Sequence, residues 1–301
     1  SDSQKINLSQ DIELKIKLKP IGVQLPEVVS IAEDPAIEII RKAIANKRKW
    51  MDKLNSYEIQ AFTRQTLYRD TAIASIAESY TTGYWQKGDT LREIVKQKRQ
   101  TENIPTSGNF AAVWGITNFN DDEIRSAGFT FVGPTAPNAL DYYDYKLQRT
   151  YGKNGYEVYE IKVIPKSRIK PLFQGTINIA DFTYAVMGVD LQPNEVFNIP
   201  FVSDLKLNYR QQFSLYQDEF WMPTDIRLIG GAKIGFAGFT IPKITFERTS
   251  VIYDYKINTT IPDTIFKKPK LSTDSSATAY DTTFWKQNEV LPLTQTEQTA
   301  Y

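Results

Sequence analysis

Apolar and charged residues alternate without a slip from Asp11 to Leu18, the period of a strand with one buried face. The run reads as the last strand of a preceding folding unit. After Lys19-Pro20 and the phrase Leu25-Pro26-Glu27-Val28-Val29 the period changes. From Pro35 to about Leu54, Ile37, Ile40, Ile44 and Met51 fall at three-, four- and seven-residue steps, while Arg41, Lys42, Lys47, Arg48 and Lys49 lie elsewhere on the cylinder. This predicts a long helix with one buried stripe. Asp34 can accept from the orphan N–H groups of its first turn, and Pro35 suits the first helical position.

From Tyr57 onward the pattern is strand-like and punctuated by turns. The clearest hairpin joins Leu140–Thr150 to Tyr156–Pro165 through Gly152, Lys153, Asn154 and Gly155, of which the glycines and the asparagine tolerate positive φ. Further strand runs are Phe173–Ala180, Phe182–Leu191, Leu205–Tyr216, Trp221–Gly230 and Lys243–Asn258, with connections short enough for an antiparallel meander. In one of them Leu207, Tyr209, Phe213 and Leu215 share a face opposite Lys206, Asn208, Arg210 and Gln212. In the last run the apolar positions switch from even (Ile244, Phe246) to odd (Val251, Tyr253, Tyr255, Ile257), which predicts a bulge near Arg248 to Ser250. A short helix is predicted from Asp121 to Ala127, ended by Gly128. From Pro262 the chain turns polar and Thr/Ser-rich, the composition of a linker, which places the end of the core near Thr260.

The strand ending Leu18-Lys19-Pro20 followed by Leu25 to Val29 resembles the exit from the carboxypeptidase-regulatory-like domain found at the N-terminus of many Bacteroidota outer-membrane proteins. Asp34 to Ile44 resembles the opening of one family of unknown function in which that domain precedes a periplasmic module and a C-terminal outer-membrane β-barrel. Tyr142 to Leu147, Ile161 to Ser167, Phe173 to Ile179 and Trp221-Met222-Pro223 agree with it. Phe284-Trp285 and Leu291 to Thr294 resemble the approach to the first barrel strand, although Asn288-Glu289-Val290 stands where that family has Arg-Pro. The resemblance implies three regions: 1–30, a remnant of the carboxypeptidase-regulatory-like domain with its linker; 31–261, the module; and 262–301, a linker toward the barrel. It implies an excised periplasmic piece of an outer-membrane protein whose signal peptide lay upstream. The fold class it suggests with the order of elements is α+β: a curved antiparallel sheet, or half-barrel, with the long N-terminal helix packed on one face, as in lipoprotein carriers.

Composition narrows the chemistry. In 301 residues, 36 Lys and Arg stand against 35 Asp and Glu, a formal charge of +1 that argues against a nucleic-acid partner held by bulk electrostatics. Cysteine and histidine are both absent. Disulfides, thiolate chemistry, Ser-His-Asp triads and His zinc sites therefore cannot be built from this chain. Carboxylate pairs remain, and Asp144 with Glu160 on partner strands is one candidate for glycoside chemistry. The plainer reading of both is as cross-strand partners of Lys146 and Lys162. Asn120 to Glu123 lacks the spaced ligands of a calcium loop, and Gly230-Gly231 with Gly235 and Gly238 lacks the lysine and helix of a phosphate loop. The expectation is a non-enzyme without cofactor or metal.

Aromatic and Met side chains remain. Trp85, Met187, Tyr209, Phe213, Trp221, Phe236 and Phe239 are the candidate ligand-binding residues, either lining an apolar cavity or filling a core. Gly235 to Pro242, with two glycines and two phenylalanines, is the candidate rim. The resulting expectation is a module that binds or guides a lipid or lipoprotein client, with the β-barrel of its own chain as second partner. Its rivals are an interaction scaffold without a small ligand and, more remotely, a carboxylate-based glycan enzyme.

Overall fold

The computed structural model describes residues 33–301 apart from 110, 114–116, 127, 154, 195–201, 237–238 and 241. The strand expected at Asp11 to Leu18 lies outside the described residues. The chain divides into two compact units, Ser1–Glu33 and Asp34–Tyr301, and the elements below belong to the second.

Helix α1 spans Pro35–Met51, with Asp34 Oδ1 accepting from Ala36 N at 3.0 Å. The same oxygen accepts from Leu147 N at 3.1 Å, so the cap also ties the helix start to the sheet. Ala36, Ile39, Ile40, Ala43 and Trp50 are buried, and Ile37, Ile44 and Met51 flank them half-buried. Lys47, which periodicity assigns to the polar side, lies in the buried stripe at 4% exposure. The helix stops three residues short of Leu54, because Leu54 N turns back to Met51 O at 3.2 Å.

The strands are β1 (Ser56–Arg69), β2 (Ala72–Gln86), β3 (Arg92–Gln100), β4 (Glu123–Ser126), β5 (Phe129–Val132), β6 (Tyr143–Lys153), β7 (Tyr156–Pro165), β8 (Phe173–Ala180), β9 (Val186–Pro193), β10 (Val202–Tyr216), β11 (Phe220–Phe236), β12 (Phe239–Thr240), β13 (Ile244–Ile257) and β14 (Leu271–Thr273). A one-turn helix α2 (Ala139–Tyr142) enters β6. The main sheet runs β14-β3-β2-β1-β13-β11-β10-β9-β8-β7-β6, antiparallel except where β14 joins β3, and β12 pairs off this path with β11. It is a large, curved, unclosed antiparallel sheet with α1 on one face, the α+β half-barrel that the element order predicts. Among the described residues no helix is long and apolar enough to cross a membrane.

Two local expectations change. The described residues 121–126 form no helix: β4 pairs with β5 ahead of and after Gly128 (φ +82), and Ile124 opposes Phe131, each at most 1% exposed. Alternate burial of Ile124 and Phe131 outweighs the acidic N-terminal signal, because both side chains enter the core and Gly128 closes the turn without strain. The β13 bulge lies at Asp254 (φ +52), where the register against β1 jumps from Gln60↔Tyr253 to Glu58↔Lys256. Up to Ile252 the even positions face inward, including Ser250, which shares a 2.7 Å hydrogen bond with Thr63. A polar inner row displaced the apparent switch point toward Arg248.

The core under α1 joins Phe119, Phe131, Phe173 and Tyr209, with Phe131 stacked on Phe173 at 4.5 Å. Tyr143 and Tyr145 donate their hydroxyls to Val132 O and Pro134 O at 2.6 and 2.7 Å, anchoring the chain that follows β5. Tyr142 to Leu147 and Phe173 to Ile179 are thus core-building sequence.

The polar stretch from Pro262 is folded rather than extended. It carries α3 (Asp263–Phe266), β14, α4 (Thr282–Gln287) and α5 (Gln295–Ala300). Trp285 packs on Phe62 and Tyr80, and Arg64 donates to Leu291 O at 2.6 Å and Pro292 O at 3.2 Å. Phe62 and Arg64 alternate with Ile59 and Ala61 of the inner core, so this C-terminal strap lies on the outer face of β1 and β2. Isolated aromatics in a Thr/Ser-rich sequence give it that hold.

Candidate functional site

A hollow of about 340 Å³ opens on the inner face of the sheet where α1 ends. Trp50, Met51 and Leu54 form one wall, Tyr57 and Ile59 of β1 with Trp85 of β2 the floor, and Asp89, Thr90 and Leu91 one rim. Met222, Pro223, Ile226, Ile252 and Tyr255 close the opposite side. Local sequence explains the aromatic floor. Tyr57 and Trp85 are paired residues of β1 and β2 and stack at 5.0 Å. The Asp254 bulge turns Tyr255 inward, where its ring meets Tyr57 edge-on at 5.7 Å.

The remaining wall is the segment Thr117 to Asp121, held by partners distant in sequence. Gln211, 1% exposed, donates to Thr117 O at 3.0 Å and accepts from Phe119 N at 2.9 Å. Asn120 Nδ2 donates to Trp221 O at 3.0 Å. Lys47 Nζ donates to Asn120 O at 2.9 Å and to Asp122 Oδ1 at 2.6 Å. Gly133 N donates to Asp122 O at 2.8 Å, and a Cβ at Gly133 would sit 2.2 Å from Asp121 O, so only glycine allows this approach. Farther along the inner face, Glu93, 1% exposed, accepts from Val113 N at 2.9 Å.

Electrostatically the hollow is acidic. Asp121 is an exposed residue at the lining of the concavity, yet protein packs close enough around it to desolvate its carboxyl. Burial pushes its carboxyl up to about 6 against the pull of Lys47, and Asp122 adds to the rise. Burial first, and Asp121 second, push the Tyr57 hydroxyl well above its ordinary range. Burial lowers Lys47, with the Asp122 hydrogen bond opposing. The Tyr255 hydroxyl donates to Pro223 O at 2.7 Å, and burial raises it too.

The sequence-predicted residues distribute unevenly. Trp85 lines the hollow. Met187, Tyr209, Phe213 and Trp221 are 6%, 4%, 4% and 4% exposed in the packed core, Tyr209 meeting Ser126 and Trp221 lying edge-on to Tyr156. Phe236 and Phe239 pair through their backbones in β11 and β12, and their side chains lie outside the described residues, as do residues 237, 238 and 241 of the expected rim. Asp144 and Glu160 do not face each other: Asp144 opposes Ile164 and reaches Lys166 at 3.6 Å, and Glu160 reaches Arg149 at 2.8 Å. Among the described residues no three acidic side chains gather as a metal site. Sequence reasoning missed Gln211, whose signal was an amide in the apolar row of Tyr209 and Phe213, and Asp121, read as a helix start.

Solved structures resemble the chain at low identity and low TM-score. A putative outer membrane lipoprotein-sorting protein domain from Vibrio parahaemolyticus is 11% identical, covers 76% of this chain and 95% of its own, and superposes with a TM-score of 0.37. For a LolA superfamily protein from Nitrosomonas europaea the figures are 12%, 77%, 97% and 0.34. For the MucA/MucB complex of Pseudomonas aeruginosa they are 10%, 79%, 97% and 0.23. Among curated proteins none matches the sequence. The model of a family of unknown function, DUF5686, matches residues 67–246 of the 301, and the chain belongs to that family.

Proposed function

We propose that this chain is a binding module that takes the apolar part of a lipid or lipidated client into the hollow beside the end of α1. The observation that carries this reading is a preformed opening of about 340 Å³ walled by Trp50, Met51, Leu54, Ile59, Trp85, Leu91 and Ile226. That volume lies at the lower end of the range for small-molecule sites, about 300 to 1,000 Å³. It suits one short chain or ring system, with about 0.8 kcal/mol gained for each methylene removed from water. The module works in the periplasm, ahead of an outer-membrane β-barrel of the same protein, where hydrophobic clients need shielding in transit. The sequence resemblance supports that setting. No chemical step is assigned, since the site offers apolar walls and hydrogen-bonding groups rather than an acid–base pair.

The test is uptake of an uncharged, environment-sensitive dye such as N-phenylnaphthylamine by the purified protein. A saturable rise in fluorescence is expected, and Leu91→Trp, which puts an indole into the hollow from its rim, should weaken binding by about tenfold or more without lowering the melting temperature. A wild type that takes up no dye, or a folded Leu91→Trp that binds it as well as the wild type, overturns the reading.

A further inference from the structure

The same hollow carries a charge signature that the apolar reading does not use. Its described lining includes two carboxylates, Asp89 and Asp121, and no lysine or arginine. Four aromatic residues, Trp50, Tyr57, Trp85 and Tyr255, line it as well. Acidic groups beside π faces attract organic ammonium ions, through Coulomb attraction and through the negative faces of the rings. Resting on the proposed function, we infer that the preferred ligand is an amphiphile whose apolar chain ends in an ammonium group, and that anionic amphiphiles such as fatty acids are disfavoured.

The neighbouring charges do not cancel this preference. Lys47, on α1, is the cation that acts on Asp121, and its ammonium is already committed to Asp122 at 2.6 Å and Asn120 O at 2.9 Å. Together Asp121, Asp122 and Lys47 leave one net negative charge on that wall. Arg48, exposed on α1, acts on Lys47 in the direction that lowers it. At the end of α1, Lys53 pairs with Glu219, and Lys87 reaches Asp52 O at 3.3 Å. On the β2–β3 turn Asp89 accepts from Gln86 at 2.9 Å and lines the rim. From β1, Tyr57 faces Asp121 as a neutral phenol, since burial and that carboxylate both oppose its ionisation.

The experiment displaces the bound neutral dye with decylamine and with decanesulfonate, each below its micelle concentration. The two share a chain length, and neither changes charge between pH 5 and pH 7.5. For the wild type at pH 7.5 decylamine should reach half-displacement at about one tenth of the sulfonate concentration, the preference given by a partly screened ion pair. At pH 5 the ratio should shrink to about threefold, because Asp121 is then largely protonated. Asp121→Asn at pH 7.5 should show the same reduced ratio, whereas Asp144→Asn, on an exposed part of β6, should keep the wild-type ratio. Dye binding with equal displacement by the two amphiphiles, or a ratio unmoved by Asp121→Asn, overturns the ammonium preference and leaves the apolar site standing. A wild type that binds no dye removes both.

Discussion

Replacing Glu78 with glutamine would cut the knot that fastens the C-terminal strap to the outer face of the sheet. Glu78 is 0% exposed. Its Oε1 accepts from Arg64 Nε at 2.7 Å, and its Oε2 accepts from Arg99 Nε and from Tyr301 at 2.8 Å. Arg64 extends the knot to Leu291 O and Pro292 O, and the Arg99 guanidinium lies 4.2 Å from the centre of the Trp285 ring. Glutamine keeps the volume but turns an acceptor into a donor facing a guanidinium, leaving two largely buried cations without their shared charge. Removing one partner from a buried pair costs about 3–5 kcal/mol. Two features place this case near the lower bound: Arg99 keeps 20% of its side chain exposed, and Glu297 stands 3.6 Å from Arg64 as a substitute. A loss of about 3 kcal/mol corresponds to a melting temperature lower by about 6–12 °C for a domain of this size. Differential scanning fluorimetry reads the shift, and hydrogen exchange should show residues 288–301 losing protection first. An exposed pair serves as the control, since Arg149→Ala should move the midpoint by less than about 2 °C. A Glu78→Gln protein that melts within 2 °C of the wild type, with the strap equally protected, would refute the argument.

Gly133→Ala forces a methyl to 2.2 Å from Asp121 O and 3.2 Å from Asp122 O, backbone atoms that cannot rotate away. It should cost about 2 kcal/mol and weaken dye binding by shifting the 117–121 wall, which thermal melts and a dye titration would show. The Asp121 carboxyl is raised from 3.8 to about 6, so the folded state holds the proton more tightly than the unfolded one. Its contribution to stability is full below about pH 3.8 and is lost as pH rises through about 6. Asp121→Asn should therefore gain stability over the wild type as pH climbs from 4 to 7, by roughly 1 kcal/mol at most after allowing for solvent screening. Melting both proteins across that range checks it, and a difference that stays constant or shrinks with pH would contradict it.

Elements whose signals are local could be read from the sequence. The cap at Asp34, the proline after it and the apolar stripe state α1 within a few residues, and Gly155 with its flanking alternation states the β6–β7 hairpin. Ambiguity arose where two local codes overlap. Asp121 to Ala127 has acidic residues suited to a helix start, but Ile124 and Phe131 could be recognised as cross-strand partners only by knowing that both point into the core. Lys47 misled in the same way: a lysine on a helix is ordinarily exposed, and its burial depends on Asn120 and Asp122, which lie more than seventy residues away. Of the candidate ligand residues, Trp85 reaches the hollow because β2 pairs with β1 beside Tyr57. Met187, Tyr209, Phe213 and Trp221 carry a similar aromatic or thioether signature, yet they sit in the packed core, Tyr209 against Phe119 and Ser126 and Trp221 against Tyr156. Residue type distinguishes apolar from polar, whereas lining a hollow or filling a core is decided by what lies overhead.

What lies overhead follows from lengths. The seventeen residues of α1 make a rod of about 26 Å. The path from β6 to β14 contains eleven strands, about 48 Å at the usual strand spacing. One helix cannot cover that face. Its start is pinned at β6 by the Asp34 bond to Leu147, so the uncovered remainder falls at the other end, over β1, β2, β3 and β13. The strap cannot fill the gap, because Phe62, Arg64, Glu78 and Tyr80 hold it on the opposite side of the pleat. Among the described residues, those at Asn109, Val113 and Thr117 to Asp121 lie over the inner face there, anchored at one end by Asn109 and Glu93 and at the other by Gln211 and Lys47. Between Met51, where the helix stops, and those residues, the floor of Tyr57, Ile59 and Trp85 has no cover among the described residues. The hollow is therefore the space a short helix leaves on a wide sheet. Its acidic wall arises because the covering segment brings Asp121 to the opening, with its nearest cation already bound to Asp122.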